Sequence, residues 1–244
     1  MLNETQRVAV ITGGNRGIGE DISRRFLDGG YTVINVSRQK PGFEHRRLMS
    51  FVADLADPAA ATAVGRGIAG QHEVGVFVHN AGVIRPALLE NVNLDDLSYL
   101  TNLHLGSAIA LTQCFLPAMR RARLGRIVLI SSRGVLGLVT RTNYAATKAG
   151  QIGMVRTWAL ELAKDGITVN CVAPGPIETD MFHELIPADS PQKQKVADSV
   201  PVKRLGTPAD VGRVVKFLCE PDSGFITGQT WYICGGASLG SLAL

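Results

Sequence analysis

Short apolar, β-branched runs punctuate this chain, and between them apolar residues recur at helical spacing. The first run, Val8-Ala9-Val10-Ile11, ends in Thr12-Gly13-Gly14-Asn15-Arg16-Gly17-Ile18-Gly19. A β-branched run closed by clustered glycines reads as a buried parallel strand entering a tight turn. From Glu20 to Leu27, the residues Ile22, Phe26 and Leu27 keep a helical spacing. Further strands are expected at 31–38, 74–82, 126–132, 168–175 and 230–234, with helical stretches between them such as 94–121 and 144–164. Alternating strand and helix predicts a parallel sheet with helices on both faces. In such a sheet ligands bind outside the carboxyl ends of the strands. Asn80, Ser132, Pro174 and Gly175 fall at such ends and are expected at one rim.

Strand, glycine turn and helix in succession describe a dinucleotide site in an α/β, doubly wound, Rossmann-type sheet. Glycines let the backbone approach a pyrophosphate, and the helix N-terminus attracts its charge. The glycines at 13, 17 and 19 do not follow the G-x-G-x-x-G spacing. The second strand, Tyr31-Thr32-Val33-Ile34-Asn35-Val36, ends in Ser37-Arg38, where a site for NAD usually has an acidic residue. Arg16 lies in the glycine turn. Two arginines converging on one spot suit a 2′-phosphate, because guanidinium binds phosphate through paired hydrogen bonds. These residues predict NADP(H) in preference to NAD(H); the competing reading leaves both arginines facing solvent.

The pair Tyr144 and Lys148 is four residues apart, so a helix carries phenol and ammonium on one face. A nearby cation favours phenolate over phenol, whose free pKa is about 10. This would make Tyr144 a proton donor and acceptor near neutral pH. The spacing alone also suits a solvated helix face.

Taken together, Thr12-Gly13-x-x-x-Gly17-x-Gly19, Asn80-Ala81-Gly82, Ser132, Tyr144-x-x-x-Lys148, Pro174-Gly175, Pro201-x-x-Arg204-x-Gly206-x-Pro208, Ile226-Thr227-Gly228 and Gly235-Gly236 resemble the short-chain dehydrogenase/reductase superfamily over nearly the whole chain. Within it the chain looks most like the 3-oxoacyl-ACP reductase branch. The resemblance implies a single domain of about seven strands over residues 1–244. It makes Tyr144 the general acid in reduction and lets Lys148 bind the nicotinamide ribose. Ser132 holds the substrate carbonyl and stabilises developing oxyanion charge. Ser131 competes for that role, since its spacing to Tyr144 is common in the family. Asp54 and Leu55 would meet the adenine end. Gly13, Asn15, Arg16, Gly17, Ile18, Gly19, Ser37, Arg38, Asn80, Ala81, Gly82, Pro174 and Gly175 would line the cofactor, with Ile177 and Thr179 at its carboxamide and pyrophosphate.

Three positions depart from the family pattern. His104 stands where a catalytic asparagine usually supports a water relay behind the lysine. Imidazole both accepts and donates protons, so His104 is a candidate for that relay, weighed evenly against a packing histidine. His79 replaces the first asparagine of Asn-Asn-Ala-Gly, and Cys234 replaces an acidic or amide residue before Gly235-Gly236.

Composition adds bounds. The 244 residues suffice for one α/β domain, and no linker or repeat divides them. The cysteines 114, 171, 219 and 234 show no C-x-x-C pairing, which suits a reduced, cytoplasmic compartment. No apolar stretch approaches the roughly 20 residues of a membrane span, and Met1 to Gln6 lacks a signal-peptide pattern. The histidines form no metal-ligand cluster. Net charge is +4. Its densest basic group, Arg120, Arg121, Arg123 and Arg126, either docks an acidic carrier protein or is a solvated loop. Without aromatic interleaving it does not predict nucleic-acid binding.

The polar stretch 182–200, with Pro187 and Pro191, is expected to act as a substrate lid. Val135, Leu136, Leu138 and Val139 would add an apolar wall, and Arg133 and Arg141 would either meet an anionic group or face solvent. The chain is expected to be an NADPH-dependent ketone reductase acting on a 3-oxoacyl thioester or related carbonyl compound, free or carried on acyl carrier protein or CoA. An NADP-dependent secondary alcohol or sugar dehydrogenase is the alternative; a non-catalytic NADP(H) sensor is a third reading. The resemblance further implies a homotetramer, or a homodimer, built on 94–121, 144–164 and the C-terminal strand, with Met154 and Trp158 either on that face or in the core and 237–244 seeking a neighbouring subunit.

Overall fold

A computed structural model describes residues 7–239. Of the terminal segments, 1–6 and 240–244 lie outside the described residues, and with them the leader expectation and most of the C-terminal contact expected of 237–244. Seven strands form one parallel sheet: β1 Val8–Thr12, β2 Thr32–Ser37, β3 Leu48–Val52, β4 Val76–His79, β5 Gly125–Ile130, β6 Ile167–Pro174 and β7 Thr230–Ile233, in the order β3-β2-β1-β4-β5-β6-β7. β1, β4 and β5 are buried throughout, as continuous apolar runs in a doubly covered sheet should be. β3 is the strand that periodicity did not mark. Its sequence Leu-Met-Ser-Phe-Val is only half-buried at the sheet edge, so it lacks the buried run that identifies the others.

Helices cover both faces. On one lie α1 Gly17–Asp28 and α8 Pro208–Leu218, packed on a core of Ile11, Ile22, Phe26 and Val33. On the other lie α2 Pro58–Ala69, α4 Ser107–Ala122 and α5 Thr142–Leu162, over Phe77, Leu111, Phe115 and Val155. Between β4 and α4 runs α3 Leu94–Thr101, and beyond β6 run the short α6 Asp180–His183 and α7 Pro191–Ser199. Met154 and Trp158 pack against the core.

The expected helix 94–121 is interrupted. After α3 the backbone widens into a π-helical turn, Asn102–Gly106, before α4 resumes. Such turns rotate the residues that follow and are frequent at functional sites. This one carries His104.

Strand order reverses between β1 and β4, on either side of which the crossovers run in opposite directions. That switch point opens a crevice at the carboxyl ends of the strands. The basic group lies at the other end of the sheet, around the start of β5, and its members are engaged within the chain. Arg120 pairs with Asp165 at 2.9 Å and Arg121 with Glu73 at 3.1 Å. Arg123 donates to the Lys164 carbonyl at 2.9 Å. Arg126 is buried and donates to the carbonyls of Glu220 and Pro221. Arg120, Arg121 and Arg123 stay exposed and tie loops together through surface contacts, while Arg126 is buried and holds the 220–221 turn.

Candidate active site

A cleft of about 280 Å³ opens at the switch point. Among the sequence-expected residues Gly13, Asn15, Arg16, Gly17, Ile18, Ser37, Arg38, Asp54, Leu55, Asn80, Ala81, Gly82 and Thr179 line it. The glycine turn is built to stay thin. A Cβ on Gly19 would lie 2.0 Å from the Gly13 carbonyl oxygen, so the α1 backbone abuts the turn directly. Asn35 accepts from the Gly14 N–H at 2.8 Å, and Ser23 donates to the carbonyls of Gly14 and Gly19, fixing the loop from beneath. Arg16 caps α1 with extended backbone and no side-chain cap, which leaves first-turn N–H groups open toward the cleft. A narrow glycine cradle and an uncapped helix start fit the pyrophosphate of a dinucleotide, and Arg16, Ser37 and Arg38 line the same cleft.

Six residues expected at the cofactor lie outside the cleft lining: Gly19, Pro174, Gly175 and Ile177, together with Tyr144 and Lys148, which stand with Ser132 and His104 behind it. Gly19 packs on Gly13, and a Cβ on Gly175 would lie 2.7 Å from the Cys234 Cα. Ile177 is buried and bridged to Gly206, and Pro174 ends β6. Residues that sequence reasoning missed also line the cleft, among them Gln39, Tyr99, Leu103, Asp180 and Met181. Arg16 faces Asp180 at 3.8 Å and Glu184 at 3.5 Å, an ion pairing to the segment beyond β6 that no local motif signals.

Behind the cleft, the end of β5 meets α5. Lys148 is buried, and its ammonium donates to the Ile130 carbonyl at 2.7 Å. Ser131 donates in return to the Lys148 carbonyl at 2.8 Å. This separates the two candidate serines: Ser131 is spent on pinning α5. Ser132 caps the following short turn, accepting from the Gly134 N–H at 3.0 Å, and its hydroxyl faces the Tyr144 phenol.

The expected depression of the tyrosine by Lys148 does not hold in this arrangement. Burial pushes the Tyr144 phenol above its ordinary value, while Ser132 and Arg141 pull it down. Lys148 Nζ lies 5.8 Å from the tyrosine ring centroid, turned toward the Ile130 carbonyl. Burial instead lowers the lysine itself, from 10.5 to about 8.

His104 is fully buried against the edge of Tyr144, with ring centroids 5.8 Å apart. Its Nδ1 lies 2.9 Å from the Thr147 hydroxyl, which itself donates to the α5 backbone carbonyls of Asn143 and Tyr144. Thr147 therefore accepts from Nδ1–H, and Nε2 is left as an acceptor without a partner. A Cβ placed on Gly82 would be 3.0 Å from that Nε2 and 3.4 Å from Lys148 Nζ, so the free lone pair and the ammonium share one gap. Burial and the charge of Lys148 hold His104 well below the ordinary histidine range, so it is neutral.

His79 is also buried, its pKa lowered to about 3, chiefly by burial. Thr12 Oγ1 accepts from the N–H groups of Asn80 and Ala81, each at 3.0 Å, so its proton goes to His79 Nδ1 at 3.1 Å. Nε2–H then donates to the Leu103 carbonyl at 3.2 Å. The substitution thus links the end of β1 to the π-helical turn one residue before His104.

A family model described as Enoyl-(Acyl carrier protein) reductase matches residues 13–238. The chain is 38% identical over 243 residues to a (2S)-[(R)-hydroxy(phenyl)methyl]succinyl-CoA dehydrogenase subunit of Thauera aromatica, covering 96% of this chain and 97% of the relative. It is 34% identical to a 3-oxoacyl-[acyl-carrier-protein] reductase of Vibrio cholerae, covering 96% and 98%. A solved structure described as an NAD(P)-dependent gluconate 5-dehydrogenase of Beutenbergia cavernae, with bound NADP, superposes with a TM-score of 0.85 at 30% identity, covering 96% and 99%.

The buried lysine generates a pH signature. Between about 8 and 10.5 the folded chain holds fewer protons at this site than the unfolded chain, so stability rises with pH across that window. Chemical unfolding of wild type and Lys148→Met at pH 7.5 and 10 should show wild type gaining on the variant by on the order of 2–4 kcal/mol. A constant difference between the two would place the ammonium in an ordinary, solvated environment.

Proposed function

The chain belongs to the short-chain dehydrogenase/reductase family of NAD(P)-dependent oxidoreductases, and from that premise we propose that it reduces a ketone to a secondary alcohol with NADPH, most nearly a 3-oxoacyl thioester or related carbonyl compound. The carrying observation is the convergence of Ser132, Tyr144 and Lys148 at the carboxyl rim, beside the glycine cleft. When bound, the nicotinamide supplies the hydride. The chain's own residues do the rest. Ser132 donates a hydrogen bond to the substrate oxygen as charge develops on it. Tyr144 Oη delivers the proton to that oxygen. Ser132 and Arg141 favour the phenolate left behind, and Lys148 meets the nicotinamide ribose. His104 Nε2 reaches the Lys148 ammonium through a water across the gap at Gly82, and so takes over the asparagine's relay. Arg16, Ser37 and Arg38 receive the 2′-phosphate, and Asp54 with Leu55 flanks the adenine.

The name of the Thauera relative favours a second reading, in which the same groups run in reverse and Tyr144 accepts the proton of a secondary alcohol. Segment 182–200, with α7 in its second half, is assigned to a lid over the substrate, since Asp180 and Met181 at its root line the cleft. A homotetramer or homodimer would cover Ile109 on α4 and Leu160 on α5, both exposed in the single chain.

Purified protein should oxidise NADPH when given a 3-oxoacyl thioester, and Tyr144→Phe should lower kcat by about 10²–10⁴-fold with NADPH binding retained. Wild type that binds NADPH yet reduces no member of a broad carbonyl panel would point to a sensor. Arg38→Asp should weaken NADPH by about 10–100-fold and NADH far less, by fluorescence titration; equal losses would refute the 2′-phosphate assignment. His104→Ala should slow turnover and alter its pH profile, with recovery in His104→Asn. A variant matching wild type in both rate and profile would return His104 to packing.

A further inference from the structure

Arg141 stands at the start of α5, three residues before Tyr144, so one helical turn carries both. Its side chain is half-buried. Among the described residues only Nη1 is occupied, by the carbonyl and hydroxyl of neighbouring Thr140, while Nε and Nη2 have no hydrogen-bond partner and no carboxylate pairs with the guanidinium. Most arginines around it are engaged. Arg85 pairs with Asp96, and Arg133 donates to the Ala237 carbonyl at 2.8 Å, which removes it from the anion-binding expectation it shared with Arg141.

The pose is imposed by backbone. Thr140 has φ +67°, a left-handed conformation that a β-branched residue adopts only under constraint. The constraint is a parallel bridge between Ala87 and Arg141, with the Ala87 N–H donating to the Thr140 carbonyl at 3.0 Å. Around that bridge the surface is apolar: Leu88, Leu89, Leu138 and Val139 are all exposed. An open guanidinium fork beside these apolar side chains is the kind of group that orients a ligand in a site. The guanidinium also bears on the proton donor, pulling the phenol pKa down, while burial lowers its own.

We propose that Arg141 binds a carboxylate of the substrate, so that the compound turned over is a keto acid, or an oxoacyl compound with a free carboxylate, whose anion lies a few bonds from the reacting carbonyl. This rests on the ketone-reductase reading and names its substrate class. A carboxylate meets the open nitrogens through paired N–H···O bonds. The phosphates of a CoA or carrier arm are anions as well, but a pantetheine chain separates them from the thioester carbonyl, whereas Arg141 is one helical turn from Tyr144.

The test uses matched ketones with NADPH: acetoacetate against methyl acetoacetate, and 4-oxopentanoate against its methyl ester. Wild type should favour at least one acid over its ester. Arg141→Gln should reduce that acid-to-ester ratio of kcat/KM by about 10–100-fold, mainly through KM, with Arg141→Lys intermediate. An unchanged ratio, with acid and ester falling together, would mean that the guanidinium serves only Tyr144. A wild type indifferent to charge, or an Arg141→Gln effect confined to acetoacetyl-CoA and absent with its phosphate-free N-acetylcysteamine thioester, would overturn the proposal while leaving ketone reduction intact. Calorimetric titration of the protein–NADP⁺ complex with 3-hydroxybutyrate and its methyl ester gives a readout without turnover. Arg141-dependent binding of the acid alone, in a protein that reduces nothing, would overturn the catalytic reading and keep the anion site.

Discussion

Lys148 places a positive charge where almost no water reaches it, and the surrounding architecture follows from that. A buried ammonium needs acceptors, and the nearest is the carbonyl of the last residue of β5. Ser131, one residue further, answers with a hydroxyl bond to the lysine's own carbonyl. The strand end and the second turn of α5 are thereby clasped from both sides. Tyr144 sits one turn before the clasp and Ser132 one residue after it, so their separation is set by covalent geometry and two hydrogen bonds rather than by mobile loops. Holding reacting groups on fixed elements is what converts proximity into rate.

The parallel sheet supplies the second constraint. All seven strands point their carboxyl ends the same way, so the glycine turn, Asn80 and the serines reach one rim although far apart in sequence. Hydrogen-bond wiring beneath the rim keeps them in register. Thr12 gathers the N–H groups of Asn80 and Ala81 and passes its proton to His79, which holds the π-helical turn through Leu103. The two departures from family pattern at 79 and 104 thus belong to one connected assembly.

Much of this is legible in the sequence alone. The glycine turn, the acid-free end of β2 and the Tyr-x-x-x-Lys spacing depend on local chemistry, and local chemistry is written in order along the chain. What escaped depends on partners distant in sequence. Ser50 interrupts the apolar character of β3, and an edge position asks for no more burial than that. The π-helical turn at 102–106 joins two helical stretches without a Gly-Pro break or a polar linker, so nothing local announces it. Ser131 and Ser132 differ only in where each hydroxyl points. The arginines from the last turn of α4 to the start of β5 show their partners only when Asp165, Glu73 and the Glu220 carbonyl arrive from elsewhere.

The two histidines behind the rim are both enclosed and both neutral. Imidazole is ordinarily the side chain through which a protein registers acidification. Here each ring has its Nδ1 committed to a threonine hydroxyl, and burial sets their protonation far below physiological acidity. Both rings stay neutral in the folded chain under mild acidity, whereas an unfolded chain would protonate them near 6.5, so each drop in pH below that value tilts the balance toward unfolding through the very groups that back the chemistry.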